Sequence, residues 1–344
     1  MPERRASVDD PLFIIGTERS GSNLLRVILD AHSRIVVPHP PHVMNYFGAL
    51  EASYGDLSLE ECRRRLACDI VRLVRIHIHP WEFVPDVDRL VAEADPPDLF
   101  GLFVALYQQA LEHSTKARWG CKSTFMIHHV DRILARFPNA GLIWLVRDPR
   151  DVAASSRDSV FSPCHPHHSA ALWAHQQAQG LALEQRIGDR LHRMHYEDLI
   201  ADPEPVLRRL CDYLGEDFEP AMLDFSGRRR AKATASLSAS WKNADKGILR
   251  NNTKRYRTKL TAGEVAAVEG IAAEPMAALG YERDHPQVGP PVDSPLKTLG
   301  VWANEVKWRS QVELRSLRED QNHWRRWGRR AYLSGLWVRS RLPR

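Results

Sequence analysis

The first segment that could do chemistry is a glycine loop between an apolar strand and an amphipathic helix, in PLFIIGTERSGSNLLRVILDAH. Four residues separate Gly16 from Gly21, a spacing that lets the backbone approach an anion and aims the first amides of the helix at it. A nucleotide-hydrolase P-loop would continue with Lys and then Ser or Thr. Here Ser22 and Asn23 occupy those positions, and the loop cation is Arg19. The pattern predicts a phosphate-like ligand; the alternative is an ordinary strand-to-helix turn.

A cation and a hydroxyl follow a continuous apolar run in LIWLVRDPRDVAASS. Arg147 comes directly after the run, where a cation is costly unless an anion meets it. Ser155 lies two turns along the next helix. An arginine and a serine on one strand–helix unit can hold a phosphate from two sides. A surface arginine with a helix-interior serine is the other interpretation.

Two further polar residues stand at predicted strand ends, Lys122 in GCKST and Tyr196 in HYEDL. The carboxyl ends of parallel strands meet at one edge of a sheet. We therefore expect Lys122 to lie beside the glycine loop, although a surface lysine fits the same pattern. The Tyr196 ring could cover a nucleotide base or belong to the core.

Short apolar runs alternate with helical patterns along most of the chain, which predicts an α/β fold with a doubly wound central parallel sheet. Asp148 and Pro149 suit the N-cap and first residue of a helix. We divide the chain into a domain over 1–285, with a helical insertion at 46–115 that would shape a substrate site, and a proline-rich linker over 286–296. A helical tail follows.

The bulk composition is that of an ordinary globular protein, with 344 residues, 43% hydrophobic and 26% charged. No apolar run is long enough to span a bilayer, and the first ten residues lack the apolar core of a signal peptide. Five cysteines without a CxxC pair favour reduced thiols over a disulfide or zinc framework. These features predict a cytoplasmic protein.

The tail, residues 297–344, carries twelve Lys or Arg against four Asp or Glu and five of the ten tryptophans. Its apolar residues recur at helical spacing, so we expect a basic amphipathic helix. Such a helix can pack on the core or on a second subunit, which we favour, or lie peripherally on an anionic membrane. The second placement would suit a lipid acceptor. No nucleic-acid-binding module is recognised, and no nucleic-acid partner is expected.

Taken together, these motifs resemble the sulfotransferases that use 3′-phosphoadenosine 5′-phosphosulfate (PAPS). GTERSGSNLLRVILDAH resembles the 5′-phosphosulfate loop of that family. LIWLVRDPRDVAASS resembles its 3′-phosphate motif, with Arg147 and Ser155 at the family's separation of eight residues. WGCKST, YEDLIADPEPVLRRLCDYLG and NNTKRYRTKL follow the order and wording of bacterial members. The resemblance spans roughly residues 11–283 and leaves out the tail.

The resemblance implies a P-loop-like fold and in-line transfer of a sulfuryl group from PAPS, with adenosine 3′,5′-bisphosphate (PAP) as product and no metal. The acceptor would be a hydroxyl or amine of a small molecule, such as a secondary metabolite, or of a sugar or lipid. The implied nucleotide-binding residues are Arg19, Ser20, Gly21, Ser22, Asn23, Arg147, Ser155, Tyr196, Lys254 and Arg255. Lys122 and Arg19 would neutralise charge on the leaving oxygen.

Two alternatives to these implications remain. Lys254 and Arg255 could belong to a solvated charge run. The whole chain could be a P-loop-like small-molecule kinase or a nucleotide-binding protein without turnover.

The chain departs from the family pattern at the general base. Many relatives have a Glu after the first helix, where this chain reads VVPHPPHVM. Neutral imidazole is a suitable base near pH 7, so we favour His42 over His39, with two histidines of no catalytic role as the alternative. Glu18 replaces the usual Pro, and we expect its carboxylate to point away from the anion. FSPCHPHHSAALW is interpreted as a mobile loop over the acceptor pocket rather than a metal site.

Overall fold

A computed structural model describes residues 10–225, 247–289 and 295–341. Its centre is a five-stranded parallel sheet in the order β2-β3-β1-β4-β5. The strands are β1 Leu12–Gly16, β2 Ile35–Val36, β3 Arg118–Lys122, β4 Gly141–Val146 and β5 Leu191–His195. The chain moves outward from β1 in both directions, so β1, β3 and β4 bring their carboxyl ends together at the centre of one edge.

The sheet is buried on both faces, because successive side chains of a strand point to opposite sides. Phe13 and Ile15 of β1 belong to one apolar cluster, together with residues of the helical insertion. Leu12 and Ile14 of the same strand belong to a second cluster on the other face. All four side chains are fully buried. This two-sided burial is the reason that β1 and β4 read as continuous apolar runs.

The helices surround the sheet and extend beyond it in a C-terminal pair. The α-helices are α1 Ser22–Ala31, α2 Val43–Phe47, α3 Glu60–Arg75, α4 Val87–Glu93, α5 Leu99–Glu112, α6 Val130–Arg136, α7 Pro149–Ser156, α8 Pro166–Ile187, α9 Tyr196–Ala201, α10 Pro203–Leu214, α11 Tyr256–Lys259, α12 Ala262–Ile271, α13 Ala273–Ala278, α14 Pro295–Glu319 and α15 His323–Arg339. Short 3-10 helices occupy Gly48–Tyr54, Thr124–His129, Gly188–Arg190 and Pro220–Met222.

The predicted fold class is confirmed: the chain is an α/β protein with a doubly wound parallel sheet and a helical C-terminal region. Asp148 caps α7 as expected, since its side chain accepts a hydrogen bond from the Arg150 backbone amide at 2.9 Å. Part of the predicted proline-rich linker, residues 290–294, lies outside the described residues. The domain boundaries themselves stay a prediction.

The C-terminal helices α14 and α15 pack on the core. The sequence allowed this placement as well as packing on a second subunit or on a membrane. Leu336 of α15 is buried in the same apolar cluster as Phe13. The Tyr332 hydroxyl donates a hydrogen bond to Asp69 Oδ1 of α3 at 2.7 Å. Glu305 of α14 accepts the backbone amide of His165 at 2.6 Å. The tail is therefore joined to the helical insertion and to the loop before α8.

Candidate active site

The loop after β1 needs glycine at both of its predicted positions. Gly16 has φ +137°, and a Cβ there would lie 2.4 Å from the Leu145 carbonyl oxygen. Gly21 has φ +92°, and a Cβ there would lie 2.3 Å from the Tyr196 ring. Both clashes are with tightly packed groups, so the loop passes close to β4 and α9 only because these residues lack side chains. α1 begins directly after Gly21, at Ser22.

Polar atoms in and after this loop are buried in a way that fits an anionic ligand. Ser20 is 1% exposed, and its Oγ has no hydrogen-bond partner among the described residues. Asn23 Oδ1 is likewise buried and unpartnered there, and Ser22 is buried at the first turn of α1. Buried polar groups are normally hydrogen-bonded. A ligand at the N-terminus of α1 would satisfy the Ser20 hydroxyl and meet the positive end of the helix.

Arg147 joins the glycine loop to the loop before α11. Its Nη1 donates to the Arg19 carbonyl at 2.9 Å, and its Nη2 donates to the Asn252 carbonyl at 3.0 Å. The guanidinium lies over the Tyr196 ring, 4.3 Å from the ring centre. Its Nε is buried and has no partner among the described residues. These contacts use two of the five N–H donors, and the buried Asp151 carboxylate lies 3.9 Å from Nη2.

Ser155 of α7 lies in the same place, because Arg19 connects it to Arg147. The Arg19 Nε donates to Ser155 Oγ at 3.2 Å, while the Arg19 carbonyl receives the hydrogen bond from Arg147. Burial lowers the pKa of Arg19 to about 10, partly offset by the negative charge of Glu18. Arg19, Arg147 and Ser155, predicted from separate motifs, therefore form one cluster.

Tyr196 packs against this cluster through its contact with Arg147. The residue is buried, its ring carries the Arg147 guanidinium on one side and faces Gly21, and its hydroxyl accepts a 2.6 Å hydrogen bond from Asn252 Nδ2. It belongs to the apolar cluster that contains Leu12 and Ile14. Of the two interpretations of Tyr196, core packing is the one that these contacts favour. Asn252, which sequence reasoning missed, links Tyr196 to Arg147.

Lys254 and Arg255 lie on the turn that carries Asn252, and both are exposed. Asp151 of α7 holds this turn by accepting the backbone amides of Lys254 at 2.7 Å and Tyr256 at 3.0 Å. The backbone of Lys254 adopts a left-handed conformation with φ +54°. The two exposed cations therefore stand beside the Arg147 cluster without forming part of its buried layer.

Lys122 ends β3, next to β1, and is 7% exposed. Burial lowers its pKa to about 8, the positive charge of Arg26 acts in the same direction, and Glu18 opposes it. A buried ammonium with a lowered pKa gains from any anion that comes close. Its position at the carboxyl edge of β3 is the one expected from the sequence.

His42 lies beside Lys122 at the start of α2. Its Nδ1 is 2.9 Å from the hydroxyl of Ser123, the residue after Lys122. Burial lowers the pKa of His42 well below its usual range, and the charges of Lys122, His77 and Arg329 add to the effect. The imidazole is therefore neutral at pH 7. Ser123 fixes the orientation of the His42 ring. Nothing in the sequence predicts this contact between Ser123 and His42.

His39 lies deeper than His42 and among other imidazoles. It is buried, with its ring 5.4 Å from that of His79 and 5.2 Å from that of His77. Burial lowers the pKa of His39 well below its usual range, with Arg26 as the next cause. Since His42 makes the direct contact with the residue after Lys122, the geometry favours His42 over His39 as the residue facing the site.

The expectation that the Glu18 carboxylate points away from the anion stays a prediction, and the structure shows this carboxylate in contact with the loop before α8. The Glu18 carboxylate accepts a hydrogen bond from Ser162 Oγ at 3.1 Å, and the charges acting on it are those of Lys122, Arg19 and Arg329. Burial raises the pKa of Glu18, and these cations lower it in part. The contact that fixes the Glu18 carboxylate is therefore the hydrogen bond from Ser162.

The loop before α8 is held by the tail helices. Arg309 of α14 donates to the Ser162 carbonyl at 2.8 Å, and Cys164 is buried against Val312. The His165 ring stacks on Trp308 at 5.0 Å. Among the described residues, no group of three His, Cys, Asp or Glu side chains is arranged to hold a metal ion. No described helix is both long and apolar enough to cross a membrane.

Comparison with known proteins identifies a matching family model and similar sequences. A family model described as "Sulfotransferase family" matches residues 11–220, more than half of the chain. The chain is 26% identical over 259 residues to an uncharacterized protein of Aquifex aeolicus, and 25% identical over 295 residues to the nodulation protein NoeE of Sinorhizobium fredii. These alignments cover 72% and 79% of the chain but only 30% and 66% of the two relatives.

Among solved structures, the fold is similar to the sulfotransferase domain of the olefin synthase of Synechococcus PCC 7002. The match has a TM-score of 0.58 and 23% sequence identity, and it covers 82% of this chain and 98% of that domain. At this level of identity the likeness establishes the common fold.

Proposed function

Because the chain belongs to the sulfotransferase family, we propose that it transfers a sulfuryl group from PAPS to a hydroxyl or amine of an acceptor and releases PAP. The observation that carries the proposal is the cluster of Arg19, Arg147 and Ser155 at the end of the glycine loop. PAPS differs from an ordinary nucleotide in its 3′-phosphate, and a second cationic clamp beside the 5′-phosphosulfate loop is what that extra phosphate requires.

In this proposal, two sets of residues bind the two ends of the donor nucleotide. Arg147 and Ser155, with Lys254 and Arg255 at the surface, hold the 3′-phosphate. The loop hydroxyl of Ser20 and the backbone amides at Ser22 and Asn23 hold the 5′-phosphosulfate, in keeping with the unpartnered buried hydroxyl of Ser20. Tyr196 positions Arg147 rather than touching the base.

Lys122 and Arg19 supply positive charge where the leaving 5′-phosphate oxygen becomes more negative, which lowers the barrier for displacement. His42, neutral and oriented by Ser123, accepts the proton of the attacking hydroxyl or amine. No residue in this scheme requires a metal. The acceptor is a small molecule, a sugar or a lipid, and it enters from the side of the helical insertion.

The structure gives no support to the kinase alternative at Asp148, the carboxylate that follows β4. A magnesium-dependent kinase would use the carboxylate after β4, but Asp148 caps α7 and its carboxylate is bound by the guanidinium of Arg150 at 2.7 Å. That ion pair is buried and continues to Glu269. Asp148 thus has a structural partner that accounts for its position.

Incubation with PAPS labelled in its sulfuryl group, in the presence of a chelator, tests the proposal. We expect label to move to a hydroxyl-bearing acceptor from a panel of phenols, sugars and lipids, with PAP formed in equal amount. ATP labelled in its terminal phosphate, with magnesium, is the counter-test. Transfer from ATP and none from PAPS would overturn the proposal in favour of a kinase.

A further inference from the structure

Arg329 is a buried guanidinium that has no acidic partner among the described residues. It lies on α15 and is 8% exposed, its Nε is buried without a hydrogen-bond partner, and no described carboxylate lies within 4 Å of it. Neighbouring arginines of α15 behave differently. Arg326 pairs with Asp320 and with Glu313, and Arg330 pairs with Glu313 at 2.7 Å. Of the two buried arginines of α15, Arg326 and Arg329, only Arg329 lacks an acidic partner among the described residues.

The burial of an unpaired cation is costly. Removing a guanidinium from water without an anion costs several kcal/mol. Arg329 lies over the Tyr46 ring, 5.6 Å from its centre, and such a contact returns only about 0.5–2 kcal/mol. The charge of Arg329 lowers the pKa of Glu18, as do the larger effects of Lys122 and Arg19, but the Glu18 carboxylate accepts its hydrogen bond from Ser162 and forms no ion pair with Arg329. The site thus carries more positive than negative charge before any ligand binds.

The contacts of Arg329 place it at the His42 end of the site. Tyr46, which carries the guanidinium, meets the His42 ring edge-on at 6.3 Å. After burial, the charge of Arg329 is the next cause that lowers the pKa of His77, and it is the weakest of the causes that lower the pKa of His42. The donor-nucleotide clamp, Arg147 and Ser155, is joined instead through Arg19. An anion at Arg329 would therefore sit beside the proposed general base, where the acceptor must lie.

We propose that Arg329 is an acceptor-binding residue, and that the acceptor carries an anionic group, a carboxylate, sulfate or phosphate, next to the hydroxyl or amine that is sulfated. This inference rests on the proposed function and narrows its substrate class. It also gives the C-terminal helices a role: α15 closes the acceptor side of the site with a charged residue from outside the segment matched by the family model.

Inorganic sulfate is a minimal probe for this anion site. Protein saturated with PAP is titrated with potassium sulfate against potassium chloride of equal ionic strength, and thermal stabilisation is followed. We expect sulfate to stabilise the wild type, and Arg329→Met to raise the midpoint at least about tenfold because a charge-assisted contact is lost. Arg325→Met, an exposed arginine of the same helix, should leave the midpoint unchanged.

Other outcomes tell whether sulfate binds at Arg329 or at the sulfuryl position of the donor. They also distinguish failure of this inference from failure of the proposed function. Loss of the sulfate effect in Lys122→Met but not in Arg329→Met would place the ion at the sulfuryl position of the donor nucleotide and overturn the inference. So would the absence of any sulfate effect in the wild type. Unchanged PAP affinity in Arg329→Met shows that the variant is folded. Failure of the wild type to bind PAP would instead remove the proposed function itself.

Discussion

Replacement of Arg147 by Met should remove most of the preference for a nucleotide that has a 3′-phosphate. Arg147 is 5% exposed, its hydrogen bonds to Arg19 and Asn252 use two of its five N–H donors, and Asp151 lies 3.9 Å from Nη2. A hydrogen bond to a charged group contributes about 1.5–3 kcal/mol, which corresponds to about a 10- to 150-fold change in dissociation constant. Ser155→Ala, which removes a neutral hydroxyl, should cost about 1 kcal/mol.

Calorimetric dissociation constants for PAP and AMP provide the assay, because the two nucleotides differ only in the 3′-phosphate. Arg147 also joins two loops, so Arg147→Met will weaken binding of both nucleotides to some degree. The informative quantity is the ratio of the two constants, which should fall by the amount given above. Equal losses for PAP and AMP, with the ratio intact, would refute the placement of the 3′-phosphate at Arg147.

Arg157 offers a matched control for this experiment. It also follows β4 in the chain, but it donates to the Lys259 carbonyl at 2.9 Å, pairs with Glu264 and lies over Trp308. Arg157→Met should lower the thermal stability and leave the ratio of PAP to AMP binding unchanged.

Two further predictions concern the reaction and its pH dependence. His42→Ala should bind PAP normally and lose about 10²- to 10⁴-fold in turnover, whereas His39→Ala should retain turnover. Normal turnover of PAPS by His42→Ala would exclude His42 as the base. The pKa of Lys122 is lowered to about 8 in the free protein, and an anionic nucleotide favours its protonated form. PAP should therefore bind with proton uptake, and its affinity should fall above pH 8 by at most about tenfold per pH unit. Lys122→Met should show no such fall. A wild-type affinity that does not change with pH, measured by calorimetry, would contradict the role of Lys122 in nucleotide binding.

Much of the sheet could be predicted because its strands are buried on both faces and are followed by clear helix starts. The apolar run of β4 and the cap at Asp148 are local signals, and the structure places them as expected. Lys122, Arg19 and Arg147 could be assigned to one edge because parallel strands end together.

Other features of the site depend on contacts between distant segments. Glu18 contacts Ser162 in the loop before α8, and the charges that lower its pKa are those of Lys122, Arg19 and Arg329, from three separate parts of the chain. Arg329 looks like one member of a basic run in the sequence. Only the packing of α15 on the helical insertion, through residues such as Tyr332, distinguishes it from the exposed Arg325.

The most direct test of the proposed donor is thermal stabilisation by PAP, compared with ADP and AMP, each without magnesium. We expect PAP to raise the melting temperature well above the shifts from the other two, because Arg147 and Ser155 bind the 3′-phosphate. A shift with ADP equal to that with PAP, or a shift that appears only when magnesium is added, would contradict this expectation.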